Sequence, residues 1–495
     1  MTLQGYILSP LLALSLIGFT GCKDDEPEED PGGQPGESCN PDAADGDEEA
    51  CADGYVCDPL ATGDGSVCGT PLELRGMVVD ALDESAIEGA HVIAFDVTSA
   101  PVSNVAITDA EGRYTLAVPA ARAPDGSLAD DVIFTLGASA EGYLTYPGGL
   151  RPAFPVDADE VIMGEGGETG ETGGEADYVE NASTTIALIP REGEAGVTIS
   201  GTVESENGAG TLIVAEGLGD PAPSTVADAA GEYTLFNVPA GSGTVRGYRA
   251  GVSLNPEPVT VAAEDLTVNL TEDGGGLATV SGQVNIVNAP GGSMTSVVLV
   301  PSSVFNTVLE RGAVPYGLRS PREGDPNVTG AFEIADVPSG TYKVLAAFEN
   351  DLLVRDPDES IAGTAIVEIE VAGVDLPIAD GFKVTEALTV VSPGATGPEV
   401  ITSAPTLTWA DDSSEDYYEL VVYDALGNVV WEVPDVPRVT GAENVEVPYE
   451  GPALTEGMYY QFRATSVKDA QGGPVKISRT EDLRGIFVFG SAAGG

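Results

Sequence analysis

Gly231-Glu-Tyr233-Thr-Leu235-Phe-Asn-Val238-Pro239-Ala-Gly241 is one of three near copies of a single phrase in this chain. The others are Gly112-Arg-Tyr114-Thr-Leu116-Ala-Val118-Pro119 and Gly330-Ala-Phe332-Glu-Ile334-Ala-Asp-Val337-Pro338-Ser-Gly340. Each leads from a glycine through alternating apolar residues to a Val-Pro turn, the period of a strand with one buried face. A single core does not grow across 495 residues, so the repetition predicts an all-β chain of tandem small β-sandwiches. The 63 glycines and 35 prolines supply its turns.

Upstream of the first copy stand Leu74-Arg-Gly76-Met-Val78, Ile87-Glu-Gly89-Ala90-His-Val92-Ile-Ala94-Phe95 and Thr108-Asp109-Ala110-Glu111-Gly112. In that hairpin Asp109 is placed to cap the turn and Gly112 to take its φ > 0 position, while Tyr114 and Leu116 face the core. These residues resemble the carboxypeptidase regulatory-like domain, a transthyretin-like β-sandwich of Ig-like build. The resemblance places copies at 71–191, 196–272 and 277–390, the later two opening at Gly201-Thr-Val203 and Gly282-Gln-Val284. The first carries an acidic Gly/Glu loop at 163–177, unable to pack a core. From 391 to 490 the pattern changes. Pro405-Thr-Leu407-Thr-Trp409, Tyr417-Tyr418-Glu-Leu420 and Leu454-Thr-Glu-Gly457-Met-Tyr459-Tyr460 resemble a fibronectin type III domain, which implies a buried Trp409 and a turn locked by Tyr460.

The N-terminus carries the address. Tyr6 to Gly21 is apolar but short for a membrane span, and it ends in Phe19-Thr20-Gly21-Cys22. This resembles the lipobox of bacterial lipoproteins and implies a signal peptide at 1–21, with lipid on Cys22 inserting in the membrane. The following Lys23-Asp24-Asp25-Glu26 resembles a surface-export signal of outer-membrane lipoproteins, which makes a surface-exposed outer-membrane protein the expectation. Residues 22–38, rich in acid, proline and glycine, are expected to form a disordered tether. Cys39, Cys51, Cys57 and Cys68 make an even set in an exported chain, so residues 39–70 are expected to be a small module with two disulfides in one of three pairings.

Acidic residues outnumber basic ones by 80 to 20, a net charge of −60 that leaves no basic patch for nucleic acid. Chemistry is sparse. The only histidine, His91, takes an outward position on its strand, so the usual catalytic triads and paired-histidine zinc sites have no members. No catalytic residue, resident metal or cofactor is assigned; Asp42-Ala-Ala-Asp45-Gly46-Asp47-Glu48 offers calcium-type oxygens without EF-hand spacing.

Two features stand out as binding candidates. The third copy is lengthened by an insertion containing Ser302 to Arg311, of a length to make a short helix, and Tyr316-Gly-Leu-Arg319-Ser-Pro-Arg322. Its arginines reverse the local charge, so Tyr316, Arg319 and Arg322 are candidates for a binding surface, with pairing to neighbouring carboxylates as the plainer use. Trp431, beyond a turn at Leu426-Gly427-Asn428, is a candidate for stacking on a sugar, with a core or edge role as the plainer use. The resulting expectation is a non-enzymatic, lipid-anchored surface stalk for adhesion or scaffolding, its partner an extracellular protein or polysaccharide. A carbohydrate-binding protein is the alternative.

Overall fold

In the computed structural model the chain is described from 33 to 490, except for 42, 44–48, 63–64, 96–100, 130–131, 148–154, 165–175, 192–195, 288–294, 307–311, 323–327, 349–355, 358–365, 380–381, 386, 413–414, 426–427, 471–472 and 482–483. Cys22, the Asp42 to Glu48 loop, most of the 163–177 loop and Leu426-Gly427 therefore lie outside the described residues. The described chain is all β, relieved only by single 3-10 turns such as Ser302–Val304. Among the described residues no helix is long and apolar enough to cross a membrane.

The first three sandwiches share one plan. In each, a long strand (Leu72–Asp80, Val197–Glu204, Ala278–Val287) pairs antiparallel with the strand of the repeated phrase. Its other edge pairs parallel with two short pieces of the last strand, Asp177–Val179 and Ile186–Leu188 in the first sandwich. The same pieces are Leu266–Thr267 and Leu270–Thr271 in the second, and Leu376–Pro377 and Phe382–Thr385 in the third. The opposing sheet in the second sandwich runs Ser224–Val226, Leu212–Glu216, Gly241–Tyr248, Glu257–Val261.

The opening glycine of each copy exists for the break in that last strand. A Cβ on Gly76 would stand 2.1 Å from the Thr184 carbonyl oxygen, and one on Gly201 would stand 1.8 Å from that of Val268. The crossing chain thus lies against bare backbone. It is fastened there by the tyrosine of the phrase, since Tyr114 donates to Thr184 O at 2.6 Å and Tyr233 to Val268 O at 2.5 Å. Phe332 replaces that tyrosine in the third copy, where its ring packs against Gly282 instead.

The hairpin turns form as the sequence dictates. Asp109 Oδ1 accepts from the amides of Glu111 and Arg113 at 3.0 and 2.8 Å, and Gly112 has φ +75°. Asp228 does the same for Ala230 and Glu232, with Gly231 at φ +78°. Tyr114, Leu116, Tyr233 and Leu235 are buried.

The fourth sandwich sets Val390–Ser392, Thr406–Ala410 and Asn444–Pro448 against a six-stranded sheet. Trp409 is fully buried, edge-on to Tyr418 at 5.4 Å, and the Tyr460 hydroxyl accepts from Thr455 N at 2.8 Å, locking the turn.

Three expectations change. Gly33 to Ser38 is structured: Gly33 exchanges hydrogen bonds with Ala50 and Ala52, Gly36 N donates to Cys68 O, and Ser38 opens a strand. The module therefore begins before Cys39 and uses the end of the presumed tether as an edge. Its disulfides are Cys39–Cys57 and Cys51–Cys68. In the insertion Ser302 to Arg311, the described part holds only the 3-10 turn, because Val304 and Phe305 are drawn down as core residues. The last boundary falls earlier than 391, as Leu388 and Val390 already belong to the fourth core.

Candidate functional site

The arginine-bearing insertion is consumed in a joint between the second and third sandwiches. Leu212-Ile213-Val214-Ala215 is buried on both faces: Ile213 and Ala215 point into their own core, while Leu212 and Val214 join the core of the third sandwich. Against that outer face lies the insertion. Ser303 O accepts from Ala222 N at 2.7 Å and Tyr316 O from Ala250 N at 3.0 Å. The Arg249 guanidinium sits over the Tyr316 ring, 4.6 Å from its centroid, a half-buried cation–π contact across the joint. Burial pushes the Arg249 pKa below its usual range.

The candidate residues are thereby accounted for. Arg319 is 4% exposed and donates through Nε to Pro321 O at 2.9 Å, so it supports the inner turn of the insertion. Arg322 pairs with Asp336 at 3.0 Å and donates to Ala335 O at 2.5 Å. Tyr316 is half-buried beneath Arg249. Of the two uses expected for this charge reversal, the internal one is what the contacts show: Tyr316, Arg319 and Arg322 each meet a ring, a carbonyl or a carboxylate within the protein.

At the centre of the same joint is Glu216, whose Oε1 accepts from Tyr248 OH at 2.5 Å and Ser303 Oγ at 3.0 Å. Arg246 stands 3.7 Å from its other oxygen. Tyr248 meets Tyr342 of the third sandwich edge-on at 5.7 Å, and burial beside Glu216 raises the Tyr248 pKa far above the ordinary phenol value.

Sequence reading missed the residues that align neighbouring sandwiches. The second and third phrases carry one residue more than the first: Phe236-Asn237 and Ala335-Asp336 stand where the first has only Ala117. The extra residue forms a β-bulge, with Asn237 at φ +60° and Asp336 at φ +58°. Each bulge meets a glycine turn of the preceding sandwich. Gly142 N donates to Asn237 Oδ1 at 2.6 Å, and Gly251 N donates to Asp336 O at 2.9 Å. The length difference between the quoted copies is the signal that was available.

His91 is also part of a joint. Its ring lies edge-on to Phe236 of the second sandwich at 4.9 Å, and burial lowers its pKa. The expected free outward histidine is thus half-covered by its neighbour. The disulfide module is fixed to the first sandwich by Arg122, 1% exposed, which pairs with Asp58 at 2.7 Å and donates to Thr70 O at 2.6 Å. Trp431 is half-buried, edge-on to Tyr449 at 5.0 Å, and packs on the fourth core.

Among the described residues, the group whose potential ligand atoms converge is Cys39, Cys51 and Cys68, within 4.8 Å of one another. These sulfurs belong to two adjacent disulfides and are not thiolates.

No protein-family model matches the chain. No curated protein matches it. Among solved structures it is similar to the major pilin subunit of Bacillus cereus, 11% identical over 62% of this chain and 99% of that one, TM-score 0.17. Two B repeat units of the collagen-binding protein of Staphylococcus aureus are 12% identical, covering 85% of this chain and 99% of that one, TM-score 0.18. The shaft pilin SpaA of Lactobacillus rhamnosus GG is 12% identical over 41% and 98%, TM-score 0.15. At these TM-scores the likenesses carry no argument about site or partner.

Proposed function

We propose that the chain is a non-enzymatic, lipid-anchored surface protein of the outer membrane that serves adhesion or scaffolding. The observation that carries this reading is the use of its site-like side chains. Tyr316, Glu216 and His91 hold sandwiches together, and Arg319 and Arg322 brace the insertion within the third, instead of converging on a cleft.

The reading modifies the extended stalk in one respect. Tyr459 of the fourth sandwich donates to Glu160 of the first, so the four sandwiches do not stand in single file. Fractionation of cells carrying Cys22→Ser, combined with protease shaving of intact cells, tests the assignment. Loss of the protein from the membrane fraction, and protease sensitivity of the parent on whole cells, are the expected results. Retention of the variant in membranes removes the lipid anchor from the reading.

The carbohydrate-binding alternative rests on Trp431, which lies on the edge strand Val429–Pro437 and pairs with Tyr449. Polysaccharide pull-down that is lost in Trp431→Ala supports it, and absence of binding by the parent chain removes it.

A further inference from the structure

The strand Ile486–Phe489 is buried on both faces. Phe487 points into the fourth core, whereas Ile486 and Val488 face the other way, with Tyr459 and Ala425. These four form a cluster of their own, walled by Met458 of the same sandwich and by Ile133 and Ala182 of the first. Polar contacts frame it. Tyr459 OH and Asn181 Nδ2 both donate to Glu160 Oε2, the latter at 2.5 Å. The partners Glu160 and Tyr459 are separated by 299 residues of chain.

This closure differs in kind from the other joints. Those between the first and second and between the second and third sandwiches join neighbours in sequence, so the connecting chain holds their partners together. Here the fourth sandwich reaches past two others to find its seat. Release leaves Ile486, Val488 and Tyr459 as an apolar patch on one sandwich and Ile133 with Ala182 on another, each complementary to a surface that every copy of the protein carries. The contacts are identical whether the two surfaces belong to one molecule or two, and exchange of an identical element is a low-cost route to association. Anchoring to a membrane raises the local concentration at which the second copy competes.

We infer that the face formed by Tyr459, Ile486 and Val488 is an exchangeable clasp whose second partner is the first sandwich of another copy of this chain. The clasp would link copies at the surface, which deepens the scaffold reading. Its test needs no membrane, so its failure is separable from failure of the anchor.

The experiment uses the full chain without its signal segment, carrying Cys22→Ser so that the introduced cysteines are the only free thiols, in three forms. Ala182→Cys and Ile486→Cys are made singly, with different tags, and also together in one chain. The double variant, oxidised when dilute, is expected to form a link within the chain at monomer mass. The two single variants, mixed at high concentration, warmed briefly and cooled, are expected to give a reducible product at twice that mass carrying both tags. A link in the double variant with no mixed product overturns the exchange. No link in either experiment overturns the clasp. Since Ile486→Cys can weaken folding, the parent chain taken through the same warming provides a second readout by light scattering. A dimer that persists on cooling and grows with concentration is expected; monomer at every concentration overturns the inference.

Discussion

Asn237 holds the glycine turn of the preceding sandwich, accepting from Gly142 N at 2.6 Å and donating to the carbonyls of Ala140 and Tyr143 at 2.8 and 3.0 Å. At 4% exposure it has no water to fall back on, and the extra residue of the bulge is what aims it there. Asn237→Ala leaves Gly142 N and Tyr143 O without this partner, while Ala140 O keeps only its longer bond from Tyr143 N. It is predicted to cost about 1–3 kcal/mol, the penalty of buried polar groups left unpaired. Asp336→Ala, whose ion pair with Arg322 is about half exposed, is predicted to cost about 0–1 kcal/mol. Denaturant melts of the two variants give the comparison. Equal losses contradict the account.

Much of this fold was legible in the chain. The period-2 phrases, the Asp109 cap and the Gly112 turn are local, and a local pattern carries its own physics. The joints are not local. The Leu212 to Ala215 run reads as apolar on both faces, but nothing in it says that the second face meets an insertion almost a hundred residues onward. The arginines there showed as a charge reversal, and only the neighbouring sandwich decides that Arg319 is buried. Asn237 could have been found by comparing copy lengths, because an extra residue in a strand must bulge.

Arg122 and Asp58 make a buried ion pair that ties the disulfide module to the first sandwich, at 1% and 3% side-chain exposure. Burial is the dominant influence on Asp58 and raises its pKa, in spite of the hydrogen bond from Arg122 that opposes it. Removing one partner leaves the other charged without compensation. Arg122→Met is therefore predicted to destabilise by about 3–5 kcal/mol, whereas Arg122→Met with Asp58→Leu restores most of the loss. A double-mutant cycle on the thermal transition checks this. Strictly additive losses contradict it.

Glu415 is fully buried, and among the described residues neither carboxylate oxygen has a hydrogen-bond partner. Arg438, itself half-exposed, approaches no nearer than 4.0 Å. Burial raises the Glu415 pKa, with the charges of Asp411 and Asp412 adding to it. A carboxyl whose folded pKa lies above its unfolded value penalises folding when ionised, and the penalty disappears as pH falls through the folded value. Glu415→Met is predicted to melt higher than the parent at pH 7, with the margin narrowing in mild acid. A margin that widens on acidification reverses the sign and refutes the assignment.

Two glycines of equivalent standing in the sequence are predicted to respond very differently to alanine. Gly201 opens the second copy, and a Cβ there would lie 1.8 Å from Val268 O, at the point where Tyr233 fastens the crossing chain. The backbone must shift, the two short parallel pieces Leu266–Thr267 and Leu270–Thr271 lose their register, and the buried tyrosine hydroxyl loses its acceptor. A loss above about 4 kcal/mol places such a change among exceptional single substitutions. Gly330 heads the third copy of the phrase and looks equally essential, yet a Cβ there meets nothing within 4 Å, and its φ is not positive. Gly330→Ala is predicted to change stability by no more than about 1 kcal/mol, the sign being favourable if reduced freedom of the unfolded chain dominates. Urea titration of both variants separates a glycine required by packing from one that the repeat merely carries, and a large loss in Gly330→Ala contradicts that division.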